Sequence, residues 1–185
     1  VPNSYEQNGI EFTYVGTSDL DAVKAAFKPN TKAVYIETPT NPMEQITFHH
    51  SLPIQLRFTD ADQFGHINNT AYFQYYDTAK IDYVRKVCNI PNERYAIFAA
   101  HVEADFLAQV YSTDQVEVQT AITAIGTKSF TLTQQLIDCQ TKAVKCVGRT
   151  VMVAYDLLEN HSIPMPQEWI EAICKYEGRD VRRKK

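Results

Sequence analysis

Residues 57–76 read Arg57-Phe-Thr-Asp-Ala-Asp-Gln-Phe-Gly-His-Ile-Asn-Asn-Thr-Ala-Tyr-Phe-Gln-Tyr-Tyr76, and their order decides the architecture. The stretch opens as the end of a strand, because Ile54, Leu56 and Phe58 alternate with Gln55, Arg57 and Thr59. A polar turn follows, carrying Asp60, Asp62 and Gly65. From Asn68 onward the period changes. Ala71, Tyr72, Tyr75, Tyr76, Ala79, Tyr83 and Val87 fall at i, i+3, i+4 spacing and lay one apolar stripe along a helix. Two carboxylates therefore sit beside a helix N-terminus, whose first N–H groups lack intrahelical partners and mark the positive end of the dipole. That corner is suited to polarising a carbonyl next to a carboxylate.

Working outward, the pattern predicts a strand over 46–59, the helix over 68–88, and strands over 95–109, 115–126, 129–140 and 143–157. Turn signals at Ser112-Thr-Asp114, Gly126-Thr-Lys128 and Gln140-Thr-Lys142 separate them. One long amphipathic helix before an antiparallel meander predicts an α+β fold with the sheet wrapped around the helix. Pro164 and Pro166 open a short helix through Trp169, Ile170 and Ile173, and the tail ending Arg182-Arg-Lys-Lys reads as a solvated charge run.

Residues 1–42 follow another pattern. Residues 10–15 alternate as a strand, Ser18 or Asp19 caps a short helix over 20–27 that Pro29 stops, and residues 33–36 form a second apolar strand. This β-α-β unit is too small to bury a core alone. The expected division is a leader at 1–42, a main domain at 43–161, and a short helix with a basic tail at 162–185. Met43 reads as a natural initiator, and the leader as a fused segment rather than a functional domain.

The chain has 185 residues, 44% of them hydrophobic, with a formal net charge of −4. That is enough apolar material for a core, and the mild acidity argues against a nucleic-acid binder. No run approaches the roughly 20 apolar residues of a membrane helix, and no signal-peptide pattern opens the chain. A cytoplasmic location is expected. Cys88, Cys139, Cys146 and Cys174 form no Cys-x-x-Cys pair and have no His at ligand spacing, so free, mostly buried thiols and no metal site are expected. Cys139 and Cys146 would face each other if the intervening turn were Lys142-Ala143. His49 and His50 are adjacent on or before a strand and point to opposite faces, a poor chelate.

The string Asp60-Ala-Asp62, Gly65-His-Ile-Asn-Asn69 and Tyr72, with Gly126-Thr-Lys-Ser129 and Ile163-Pro-Met-Pro166, resembles the hotdog-fold acyl-CoA thioesterases, and among them the 4-hydroxybenzoyl-CoA thioesterase family. The resemblance runs over residues 46–170. It implies a hotdog fold and hydrolysis of an acyl-CoA to free acid and CoA. Asp62 would act as general base toward water or as nucleophile. A backbone N–H at the helix N-terminus, close to Asn69, would be the oxyanion donor, with Gly65 allowing the tight approach. His66 would orient the site. Some relatives carry a second His where this chain has Asn69. Hotdog sheets normally pair edge to edge, so a homodimer or homotetramer with sites at the subunit boundary is implied.

Other roles compete for these residues. Asp60 reads as a turn or capping acid, Asn68 and Asn69 as N-terminal caps, and Tyr72, Tyr75 and Tyr76 as core or interface, with Tyr72 also a substrate contact. Asp77 on the helix is an alternative catalyst. Lys128, Ser129 and Arg149 are candidate contacts for the CoA phosphates. The rival functions are a hotdog hydratase or dehydratase, disfavoured by the spacing of Asp62 and His66, and an acyl-CoA-binding protein without turnover.

Residues 31–42, Thr-Lys-Ala-Val-Tyr-Ile-Glu-Thr-Pro-Thr-Asn-Pro, with residues 9–29 before them, resemble an internal piece of the pyridoxal-phosphate enzymes of the cystathionine and methionine γ-lyase group. That family's Schiff-base lysine, ring-nitrogen aspartate and phosphate-binding glycine turn have no counterpart here. No pyridoxal phosphate and no other cofactor is expected.

Overall fold

Alternating strands after the long helix pair into one antiparallel sheet. The computed structural model describes residues 13, 20–32 and 46–183. The chain divides into two compact units, residues 1–44 and 45–185. In the first unit, α1 (Leu20–Ala26) occupies the stretch predicted at 20–27, with Asp21 in its first turn. The flanking strands expected at 10–15 and 33–36 lie outside the described residues.

The second unit contains β1 (His50–Ile54), α2 (Asn69–Cys88), β2 (Tyr95–Phe106), β3 (Val116–Ile125), β4 (Ser129–Asp138), β5 (Val144–Asp156), β6 (His161–Ser162) and α3 (Gln167–Tyr176). The sheet order is β1-β3-β4-β5-β2, with β6 paired to the end of β5. β1 and β2 are thus the edges. The sheet curls around α2, a hotdog fold of the α+β class.

The first strand is shorter than the predicted 46–59. Residues 58–60 instead form a 3-10 turn, because the Asp60 carboxylate accepts the Arg57 N–H at 2.9 Å and pulls the chain out of the ladder. At the other end of α2, Asn89 takes the left-handed conformation and its N–H returns to Arg85 O at 3.1 Å.

Alternation along the strands places Val116 and Val118 of β3, Leu132 and Leu136 of β4, and Cys146, Met152 and Ala154 of β5 on the face packed by α2. One buried cluster gathers Ile67, Ala71, Tyr72, Tyr75, Tyr76 and Ala79 with Val110, Val116, Val118 and Leu136. The other holds Tyr83 and Val84 with Ile122, Phe130 and Leu132, closed by Met165, Trp169, Ile173 and Val181 from the C-terminal segment. The predicted helical stripe is buried except Val87, which is half-buried. Lys80 and Val84 join it.

Gln134 is the polar exception on the inner face. It is 2% exposed, and its amide donates to the Tyr76 carbonyl at 2.9 Å and to Thr120 Oγ1 at 3.2 Å. A glutamine between Leu132 and Leu136 in inward register was the available signal, and it pins the middle of α2 to the sheet.

All four cysteines are free; Cys146 is buried and the others half-buried. Cys146 faces Leu136 rather than Cys139, because the turn pivots over Gln140 and Thr141, whose N–H groups both donate to Asp138 Oδ1. Burial pushes the Cys88 thiol up to about 12.

Candidate active site

The turn between the 3-10 segment and α2 is built around its own carboxylate. Asp62 Oδ1 accepts the backbone N–H groups of Phe64 (2.8 Å) and His66 (3.0 Å). Its N–H donates to His66 O at 2.7 Å, and the Gly65 N–H returns to Asp62 O at 3.0 Å. Gly65 has φ +80°, a conformation glycine adopts without cost, and nothing crowds the place a Cβ would take. Backbone conformation, rather than the tight approach expected from sequence, is what asks for glycine here. With Oδ1 held by two N–H groups, the carboxylate of this exposed residue is oriented, and its Oδ2 accepts no hydrogen bond among the described residues.

The loop before β3 braces this turn. The Ile67 N–H donates to Val110 O (2.9 Å) and the Ser112 N–H to Gly65 O (3.2 Å). The His66 ring lies edge-on to Tyr111 with centroids 4.9 Å apart, and the Tyr111 hydroxyl donates to Gln109 Oε1 at 2.8 Å. Tyr111 has no signal in the sequence, because its neighbour His66 lies far away along the chain.

Asn68 is the residue before α2, yet no side-chain cap bond forms at this end. The expectation that Asn68 and Asn69 cap the helix through their side chains is therefore not met. The chain enters the helix through the Asn68 N–H, which donates to Asp60 O at 2.8 Å. Among the described residues the first-turn N–H groups of Asn69 and Thr70 have no acceptor, and no acidic side chain occupies that turn. An uncapped N-terminus forgoes about 0.5–2 kcal/mol and leaves donors for a ligand oxygen.

Asp60 is 4% exposed. It accepts Arg57 Nε at 2.9 Å on Oδ1, and the Arg57 N–H at 2.9 Å and the Tyr75 hydroxyl at 2.6 Å on Oδ2. Burial works to raise its pKa, but the Arg57 and Tyr75 hydrogen bonds prevail and hold the carboxyl below its usual range. Burial, and then donation to Asp60, push the Tyr75 phenol upward.

The remaining candidates do not join this corner in one chain. Tyr72 is buried, its ring edge-on to Phe106 at 5.2 Å, while Phe106 itself is half exposed beside Phe73. Lys128 Nζ donates to Ser162 O at 3.0 Å, and Ser129 opens β4. They stand at the far end of that ten-residue strand, about 30 Å from the end that meets the turn. Arg149 pairs with Glu103 at 3.4 Å. Asp77 is bound by Lys80 on the exposed side of α2. His50 is buried against Tyr83 with Nε2 2.8 Å from Asp82 Oδ2, whereas His49 is exposed. No three metal-ligating side chains converge among the described residues, and no helix among them is long and apolar enough to cross a membrane.

Comparisons with known proteins match two parts of the chain to two different families. Residues 1–50 match the Cys/Met metabolism PLP-dependent enzyme family. Cystathionine gamma-lyase of Bacillus subtilis is 62% identical over 39 residues, which are 21% of this chain and 10% of that enzyme. The chain therefore spans only about a tenth of that relative. The uncharacterized protein YsmA of Bacillus subtilis is 28% identical over 99 residues, covering 53% of this chain and 67% of YsmA. Among solved structures, a Thermus thermophilus thioesterase complexed with coenzyme A and Zn aligns with a TM-score of 0.63 and 25% identity, covering 71% of this chain and 96% of that one. Residues 56–173, most of the chain with the turn, α2 and every strand of the sheet after β1, match the thioesterase-like superfamily, and the chain belongs to that superfamily.

Proposed function

We propose that the chain hydrolyses acyl-CoA thioesters to a carboxylic acid and CoA, with Asp62 as the reacting carboxylate. The observation that carries this reading is the pairing of an oriented carboxylate with an uncapped helix start in one bend. Asp62 Oδ1 is held by Phe64 and His66, while the Asn69 and Thr70 N–H groups are without acceptors among the described residues. A thioester carbonyl drawn to those N–H groups gains oxyanion stabilisation as the tetrahedral intermediate forms. Oδ2 either takes a proton from attacking water or attacks the carbonyl carbon itself, and thiolate departs in both routes. Superfamily membership and the coenzyme A bound by the Thermus relative support the substrate class. No pyridoxal phosphate takes part in this reading.

The reading includes a homodimer formed through β2. This twelve-residue edge strand exposes Phe98, Val102 and Phe106, and such an edge calls for cover. A two-fold pairing of β2 with its copy is antiparallel. It lays the Phe98 end of one sheet, which continues through Val153 to Ser129, beside the Phe106 end of the other. Lys128 and Ser129 of the second copy would then approach the Asp62 corner as phosphate contacts, which they do not reach within one chain. Arg149, paired with Glu103 near mid-strand, would lie close to the same seam. Pairing of two such dimers would give the tetramer.

Thiol release across a panel of acyl-CoAs, with wild type beside Asp62→Asn, tests the reading. Turnover that falls at least about 10²-fold in the variant supports it. Turnover unaffected by the substitution removes Asp62 from the chemistry. Tight binding of acyl-CoA without turnover makes the chain a carrier, with Asp62 as a turn cap only.

A further inference from the structure

The reaction above makes no use of the most deeply buried carboxylate beside it. Asp60 precedes Asp62 by two positions and shares its turn, but it faces inward. Its contacts reach three parts of the chain. Arg57, after β1, donates to the carboxylate through both its backbone N–H and its guanidinium. Asn68, immediately before α2, donates its N–H to the Asp60 carbonyl. Tyr75, well along α2, donates its hydroxyl. The Arg57 guanidinium reaches α2 as well, donating Nη2 to Gln74 Oε1 at 2.6 Å.

We propose that Asp60 is a positioning residue: its buried carboxylate, gripped by Arg57 and Tyr75, holds the Asp62 carboxylate in register with the open N-terminus of α2. The inference rests on the thioesterase reading and adds a residue to it.

The topology makes this specific. The bend carrying Asp62 leaves from Asp60 and returns at Asn68, and the Asn68 N–H to Asp60 carbonyl bond ties its two ends. The Ala61–Ile67 bridge closes it again one step in. Anything that fixes Asp60 relative to α2 therefore fixes the whole bend. Tyr75 supplies that fix from the helix itself.

Stability alone is a weak reason for the arrangement. Burying a carboxylate costs desolvation that its partners merely offset, and an uncharged cap would shape a turn as well. What a charged, multiply bonded anchor adds is a single allowed geometry. Catalysis between a carboxylate and an oxyanion donor depends on that geometry, since displacement by about 1 Å is enough to lose about 10²-fold in rate.

The test uses the full chain with Asp60→Asn and, as the milder change, Tyr75→Phe, which removes one hydroxyl and keeps the ring in the core. For each, kcat and KM are measured on the best acyl-CoA, and hydrogen exchange is followed at the Phe64 and His66 amides that hold Asp62. The expected result is a kcat lowered roughly 10–100-fold for Asp60→Asn and several-fold for Tyr75→Phe, with KM within about twofold of wild type. Exchange at the two amides should quicken in both variants while the amides of β3 and β4 stay protected. Tyr75→Phe with unchanged kcat and unchanged exchange would overturn the proposal, as would loss confined to melting temperature. Wild type inert on every thioester would instead overturn the thioesterase reading, and the amide exchange would still report whether Asp60 holds the bend.

Discussion

Gly148 lies directly beneath the ring of Tyr76: a Cβ on the glycine would come within 2.5 Å of Cε2 and 2.9 Å of Cδ2. The ring belongs to a residue 4% exposed in the middle of α2, whose carbonyl is held by Gln134. It has nowhere to retreat. Gly148→Ala should overpack this contact and cost about 1–3 kcal/mol, or several degrees in melting temperature. Among the described residues the buried Tyr76 hydroxyl makes no well-formed hydrogen bond and has only the Cys146 thiol as a weak neighbour, so Tyr76→Phe should cost little or stabilise slightly. Thermal melts of the two variants check both outcomes. A Gly148→Ala melt equal to wild type would show that the helix-to-sheet spacing is looser than this contact implies.

Glu177 performs a comparable service at the other end of the sheet. Its Oε1 accepts the Tyr83 hydroxyl and, at 2.8 Å, the Ile122 N–H. Ile122 stands where the β3–β4 register shifts, so the glutamate satisfies a donor that the ladder leaves over. Glu177→Ala strands two buried donors and should destabilise by about 1–3 kcal/mol. Glu177→Gln keeps an acceptor oxygen and should lose less than half as much. Urea denaturation of the pair separates the two, and equal losses would assign the effect to charge rather than to hydrogen bonding.

These two contacts show where reading the sequence stops. Periodicity placed α2 within a residue of its observed start, because Ala71, Tyr75, Ala79 and Tyr83 repeat at helical spacing and the burial follows. For the same reason β2 to β5 lie within about three residues of their predicted ends, while the two-residue β6 is too short to show any period. What periodicity does not carry is pairing across distance. Glu177 finds Ile122, Asp60 finds Tyr75, and Tyr111 finds His66 only once the sheet has curled. The end of the first strand was misread because Ile54, Leu56 and Phe58 continue the alternation, while the hydrogen bond from Arg57 to Asp60 outweighs it and leaves Phe58 95% exposed. The cation of Lys128 and the hydroxyl of Ser129 suit a phosphate, but that chemistry carries no information on which end of β4 they occupy.

Acid should act through Asp156. This carboxylate is buried at the end of β5 and accepts the Leu158 (2.9 Å) and Glu159 (3.0 Å) N–H groups as well as Arg94 Nε (2.8 Å). The Glu159 backbone bond leads, burial opposes it, and Arg94 and Leu158 add to it, holding the carboxyl below its usual 3.8. A carboxyl depressed in the folded state stabilises above the unfolded value and loses that contribution as pH falls through the folded one. Asp156→Asn should therefore be less stable than wild type above about pH 4. The gap should close progressively below that, read from denaturation midpoints between pH 7 and pH 2. A gap that stays constant across the range would show that Asp156 contributes through shape rather than ionisation.

The exposed edge of β2 gives the last prediction. Val102 faces the same side as Ala104 and Phe106, being opposite Thr150 as they are opposite Gly148 and Cys146, yet it is 47% exposed in the single chain. A lysine at such a position is the common means of keeping sheet edges apart, because pairing would bury its charge. Val102→Lys leaves Asp62, Asp60 and the start of α2 untouched. If two copies share the site through β2, the variant should sediment at half the wild-type mass at micromolar concentration. It should also lose turnover by an order of magnitude or more, with the loss partly recovered as protein concentration rises. Recovery with concentration is the decisive feature, since local damage to an independent site would be concentration-independent. A wild type that sediments as a single chain while turning over at full rate would place the whole site within one copy and release Lys128 and Ser129 from any part in it.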